Sequence, residues 1–226
     1  MAKNLKISLA AALTAASALA APISANATII YTLNTVFNGD TPTSTPPWLT
    51  AKFANDVADT VKLTLTSSLD VASEFIDEVA FNVDPSIVPS SLTIVQSPAV
   101  NPLVTSILNT TQDAQDLGGG GGLGKKFDID VQWGTSSGVG RFDGTDVVTL
   151  LISATGIDET DFDFINGGGA GAHFAAHIQG VPLVGGGTTS GAVKEGVPTP
   201  TPEPATLALF GLGLAGLGFL RRRRAT

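Results

Sequence analysis

Residues 61–66 read Val61-Lys62-Leu63-Thr64-Leu65-Thr66, and residues 127–133 read Phe127-Asp128-Ile129-Asp130-Val131-Gln132-Trp133. In both, apolar and polar side chains alternate with period two, the repeat that places every second side chain on one face of an extended strand. Each reads as a strand with one buried and one wet face. Outward from these, residues 28–37, 75–83, 91–95, 146–154 and 173–179 have strand composition. Turn signals separate them: Asn38-Gly39-Asp40, Asp84-Pro85, the glycine run at 118–122, Gly138-Val139-Gly140 and Gly167-Gly168-Gly169. A short helix is expected around residues 105–116. Residues 28–194 are therefore predicted to form one all-β domain, an antiparallel β-sandwich or jelly-roll-like body.

The chain has 226 residues, 43% hydrophobic and 14% charged, with no cysteine. That composition is too apolar for a disordered polymer. Without cysteine there is no disulfide scaffold, thiolate metal site or cysteine nucleophile, so packing and backbone pairing must hold the body together. The formal charge of −8 hides an asymmetry. Apart from Lys3, Lys6, the four arginines at 221–224 and Glu203, the chain carries 6 basic and 19 acidic residues. A body of that sign repels phosphate backbones, and nucleic acid is not an expected partner.

The two ends read as addresses. Residues 1–27 open with Lys3 and Lys6, continue as an apolar run over 9–21 and finish Ala25-Asn26-Ala27. This is the pattern of a secretory signal helix, with Ala25 and Ala27 small enough for the pockets of a signal peptidase and cleavage expected after Ala27. Residues 195–204 form a linker in which Pro198, Pro200, Pro202 and Pro204 impose extended, donor-poor backbone. Residues 205–220 are a 16-residue run, apolar or glycine apart from Thr206, followed by Arg221, Arg222, Arg223 and Arg224 in a tail spanning 221–226. As a helix the run reaches roughly 24 Å, marginal for a ~30 Å hydrocarbon core, and it spans if the flanking arginines snorkel. Arginines after the span stay cytoplasmic, which puts the body on the far, periplasmic side.

Pro202-Glu203-Pro204, the glycine-rich apolar helix and the arginine cluster together resemble the PEP-CTERM sorting signal of exported Gram-negative bacterial proteins. The resemblance implies recognition by an exosortase, transient membrane anchoring and cleavage near Pro202-Glu203-Pro204. It also implies a link to exopolysaccharide and biofilm or floc formation. Stretches of the body, among them Pro47-Trp48-Leu49-Thr50-Ala51, Phe81-Asn82-Val83-Asp84-Pro85 and His173-Phe174-Ala175-Ala176-His177-Ile178-Gln179-Gly180, resemble extracellular proteins that carry the same tail. That likeness supports a secreted β-rich domain and supplies no substrate or catalytic residue.

Chemistry-bearing residues are few. His173 and His177 are the only histidines. Phe174-Ala175-Ala176 between them lacks the glutamate of a zinc protease motif, so they read as hydrogen-bonded structural residues before they read as metal ligands. No Gly-x-Ser-x-Gly elbow is present. The glycine run at 118–122 lacks the lysine and hydroxyl spacing of a phosphate loop and reads as a flexible connection. Asp128 and Asp130 share a strand face, and Asp158, Glu159, Asp161 and Asp163 fall within six residues. Asp158, Asp161 and Asp163 form the candidate calcium site, with a solvated acidic surface as the plainer account of the same residues. Trp133 is expected in the core. Trp48, after Pro46-Pro47, is the exposed aromatic candidate for stacking on a sugar ring.

The expected function is that of an exported, non-catalytic cell-surface or extracellular matrix protein associated with exopolysaccharide and needing no cofactor. A carbohydrate-binding module is the first alternative and an extracellular hydrolase the second.

Overall fold

The alternation at residues 61–66 becomes a strand whose burial repeats strictly, each buried residue flanked by half-buried ones. The structure is a computed structural model that describes residues 28–118, 126–136, 140–165 and 171–196, all within the unit Ala27–Glu203. The signal segment with Ala25 and Ala27, the Pro202-Glu203-Pro204 motif, the apolar run and the four arginines lie outside the described residues. Among the described residues no helix is long and apolar enough to cross a membrane.

The strands are β1 (Thr28–Gly39), β2 (Leu49–Asn55), β3 (Thr60–Ser67), β4 (Phe75–Phe81), β5 (Thr93–Gln96), β6 (Val104–Leu108), β7 (Gln115–Asp116), β8 (Lys126–Phe127), β9 (Ile129–Trp133), β10 (Phe142–Asp143), β11 (Val147–Ser153), β12 (Phe174–Pro182) and β13 (Thr188–Glu195). Two short 3-10 turns, Pro89–Ser91 and Glu159–Phe162, are the helical elements among the described residues. The all-β, antiparallel reading holds.

One sheet carries the body, in the order β5-β11-β3-β2-β1-β13-β12-β4-β9-β6, with β10 added to β4. Its two halves face each other across a single core. On one side Leu63 pairs with Leu150 and Phe53, and Leu65 with Val148 and Ala51. On the other, Val79 pairs with Val131 and Phe81 with Ile129. All of these belong to one buried cluster, which also takes in Trp48, Trp133, Phe162 and Phe174. The opposed halves thus belong to one continuous sheet of barrel-like form, in place of the two separate packed sheets of the expected sandwich or jelly roll.

The sheet's end strands, β5 and β6, meet through side chains. Gln96 accepts from the Val104 backbone N–H (2.9 Å) and donates to the carbonyls of Val100 (2.8 Å) and Pro102 (2.9 Å). Asn109 donates to the carbonyls of Pro89 and Leu92 at 3.0 Å each. Side-chain amides supply bonds where the two strands share no ladder.

A second, smaller layer lies outside the β4-β12-β13 part of the sheet. The β7-β8 hairpin sets Leu117 and Phe127 on Ala80, Ala175 and Ala192, three residues small enough to let it approach. This explains two departures from the sequence reading. Residues 127–133 are not one strand: Phe127 ends β8 and packs outward of the sheet, whereas Ile129, Val131 and Trp133 of β9 face the main core. The expected helix over 105–116 is instead β6, a turn and β7, because the edge of β9 offers ladder bonds to the β-branched Val104, Thr105 and Ile107. Strands β2 and β13 had no clear signal, and β13 runs to Glu195, one residue past the expected end of the body.

Candidate functional site

A cleft of about 870 Å³ opens where the β2-β3 turn, the 86–93 segment and the loop after β11 converge. Asp59 sits in this turn at φ 60°, a left-handed conformation that aspartate tolerates better than most residues. Its backbone carbonyl accepts from Ala154 N–H (3.2 Å) and its Oδ1 from Gly156 N–H (2.7 Å), which fastens the two loops together. Thr60 and Ser153, opposite each other on β3 and β11, join their hydroxyls at 3.0 Å in the wall. Ser86, Ser91, Thr93 and Thr155 add further hydroxyls, Asp161 a second carboxylate, and Ile87, Val88 and Ile157 an apolar strip. Among the described residues no basic or aromatic side chain lines it. Burial raises the Asp161 pKa from its ordinary value, while hydrogen bonds from Ser86 lower that of the half-buried Asp84 nearby.

The three aspartates singled out for calcium have structural partners. Asp158 caps the Glu159–Phe162 turn, its Oδ1 accepting from Thr160 N–H (2.8 Å) and from the Thr160 hydroxyl (2.5 Å), while Asp161 Oδ2 accepts from Asp158 N–H (2.9 Å). This reciprocal pair is a capping box. Asp163 Oδ1 accepts from the Tyr31 hydroxyl (3.2 Å) and lies 3.3 Å from His173 Nε2. Tyr31 also donates to the Phe162 carbonyl (2.9 Å) and stacks on the His173 ring, tying the turn to β1 and β12. Burial, reinforced by the Asp163 charge, pushes the Tyr31 phenol pKa far up. Among the described residues no group of three or more histidine, aspartate or glutamate side chains is arranged to hold a metal ion.

Trp48 does not form an exposed stacking platform. It is 3% exposed and its Nε1 donates to the Ser44 carbonyl at 2.7 Å. The loop before it is drawn inward by the fully buried Glu74, which accepts from Thr43 N–H (2.6 Å), the Thr43 hydroxyl (2.8 Å) and Ser44 N–H (3.1 Å), so the indole closes over the core. Trp133, at 3%, is in the core as expected.

The sequence reading missed a polar layer under the β7-β8 hairpin. Asp128 and Asp130, expected on a wet face, are each 2% exposed. Asp128 accepts from Val83 N–H (3.0 Å) and Asp113 N–H (2.7 Å), and burial nevertheless raises its pKa. Glu78, beside Asp130, accepts from Gly118 N–H at 2.6 Å. Burial first, then the Asp130 charge and hydrogen bond, push the Glu78 pKa up to about 9, and burial raises Asp130 as well. With both carboxyls raised by burial, and Glu78 also by the proximity of Asp130, the pair holds a proton where ordinary carboxylates have lost theirs.

On the same face Asp77 Oδ1 lies 2.7 Å from His177 Nδ1, and Gln179 Nε2 donates to Asp77 Oδ2. The signal for this lies in the register: His177 pairs with Glu78 but Ile178 pairs with Ile76, so Asp77 is the extra residue of a bulge and turns to the face that carries His177. An Asp-His contact of this kind orients a general base. His177 is, however, 3% exposed, and the space beside it measures about 10 Å³, room for about one water-sized sphere. The constellation can hold a proton and fix the sheet, and it has no room for a substrate.

Comparison with known proteins gives one match. The family model of the PEP-CTERM protein-sorting motif matches residues 200–224. No curated protein and no solved structure matches the chain. The motif covers the Pro202-Glu203-Pro204 segment, the apolar run and the arginines, and marks an exported protein sorted by an exosortase from a membrane-anchored precursor.

Proposed function

We propose that this PEP-CTERM-bearing chain is a non-catalytic protein of the cell surface or extracellular matrix, whose β body associates with exopolysaccharide after sorting. The observation that carries the reading is the motif at residues 200–224, which gives the body an address outside the cytoplasm. The body's own chemistry supports a binding or structural role. The Asp77-His177 contact is sealed under a hairpin, and Asp158, Asp161 and Asp163 are engaged in holding a turn. The acidic surface favours solubility in the matrix and bridging by divalent cations.

Cellular fractionation tests this reading. The native protein is expected in the matrix or surface fraction of cells that have the processing enzyme, and stripping exopolysaccharide is expected to release it. A protein that stays in the membrane fraction whether or not exopolysaccharide is present overturns the proposal. Turnover of a broad polysaccharide and ester panel by the purified protein would replace it with the hydrolase alternative. The carbohydrate-binding alternative draws support from the hydroxyl-lined cleft rather than from Trp48.

A further inference from the structure

We infer that the cleft between the β2-β3 turn and the loop after β11 binds a neutral or amine-bearing glycan segment and rejects anionic sugars. The inference rests on the reading of the body as polysaccharide-associated and goes further by naming a site and a ligand class.

At about 870 Å³ the cleft falls in the ~300–1,000 Å³ range of small-ligand sites. Its lining selects by chemistry. The hydroxyls of Thr93 and Thr155 make no hydrogen bond to another described residue, so both are available as donors and acceptors. Asp59 uses Oδ1 on Gly156 N–H and leaves Oδ2 without a partner among the described residues. Asp161 likewise commits Oδ2 to Asp158 N–H and leaves Oδ1. Hydroxyls interspersed with carboxylate acceptors match the hydroxyl-rich rim of a pyranose, and the strip of Ile87, Val88 and Ile157 matches its C–H face.

What the lining lacks is equally selective. With no lysine or arginine among the described lining residues, a phosphate, sulfate or uronate would meet Asp59 and Asp161 with no described cation to neutralise it. Without an aromatic ring there is no platform for a nucleobase. An ammonium substituent on the sugar would instead gain a charge-assisted bond to Asp59.

The experiment is methyl NMR of the full-length protein in detergent micelles, following the Ile87 and Ile157 methyls during titration with cellotetraose, glucosamine tetrasaccharide or tetragalacturonate. The first two are expected to shift both methyls and the third to shift neither. Asp59→Asn keeps the acceptor for Gly156 and suits the left-handed backbone. It is expected to weaken the glucosamine tetrasaccharide about tenfold and cellotetraose far less. Ser86→Lys adds a cation at the rim and is expected to confer response to tetragalacturonate. Thermal unfolding of both variants checks that they fold as the parent does.

An equal response of the parent protein to tetragalacturonate, or methyls unmoved by any of the three glycans, overturns the inference. Glycan binding detected elsewhere on the body with Ile87 and Ile157 unmoved overturns the cleft assignment and leaves matrix association standing. Failure of matrix association in the fractionation removes the underlying reading independently of the NMR result.

Discussion

At Gly180 the backbone has φ 73°, in the bulge that separates Gln179 from Val181, and a Cβ there would collide with the carbonyl of Ser73. Both the left-handed torsion and the close backbone contact exclude a side chain. Gly180→Ala is expected to lower unfolding stability by at least ~2 kcal/mol, read from the shift of a urea transition; an unmoved midpoint would contradict the geometry. Glu78 makes a different demand. Its pKa rises from 4.5 in the unfolded chain to about 9 in the body, so between those values the native state holds a proton that the unfolded state has released. The stability it contributes is full below pH 4.5 and is lost as pH rises through about 9. Glu78→Gln keeps an acceptor for Gly118 and supplies a permanent donor to Asp130. Urea midpoints at pH 5, 7 and 9 are expected to fall with pH more steeply for the parent than for the variant, and parallel profiles would refute the shared proton. Neither residue was legible in sequence. Asp128 and Asp130 alternate with apolar neighbours as solvent-facing residues do, and no local pattern announces that a hairpin forty residues removed from β4 in sequence will cover them.

Among elements, the junction of β5 and β6 carries a load out of proportion to its size. Both strands end the sheet, and the bonds that join them come from Gln96 and Asn109. Gln96→Ala removes three hydrogen bonds and leaves Val104 N–H without its acceptor, an expected loss of ~1–3 kcal/mol, with Asn109→Ala giving a similar loss. Faster amide hydrogen exchange confined to β5 and β6 is expected in both variants, whereas uniform acceleration across the sheet would mean the junction opens only with the whole body. Strands such as β3 and β11 were readable because they lie between two neighbours with one face in the core, so burial imposes a strict alternation on their sequences. β13 was not, since Thr188, Thr189, Ser190 and Gly191 satisfy a strand whose pairing comes from β1 and β12 rather than from its own apolar content.

For the molecule as a whole, charge and destination agree. An excess of acidic over basic residues in the body favours solubility of an exported protein, and half of the cationic residues sit at the two termini. Intact mass spectrometry of the protein from cells with and without the exosortase tests the sorting step. The expected result is a species lacking residues 205–226 only when the enzyme is present; retention of that segment in both strains would contradict processing.

The order of residues along the chain was enough to establish the address and the class of fold, because both are local properties. A sorting motif is read as contiguous extended, apolar and basic chain, and a strand with one buried face writes its period into consecutive positions. The cleft, the proton shared by Glu78 and Asp130, and the burial of Trp48 were decided by the tertiary structure. Each depends on segments distant in sequence meeting across the sheet, and whether a polar or aromatic side chain faces water is fixed by what lands on top of it.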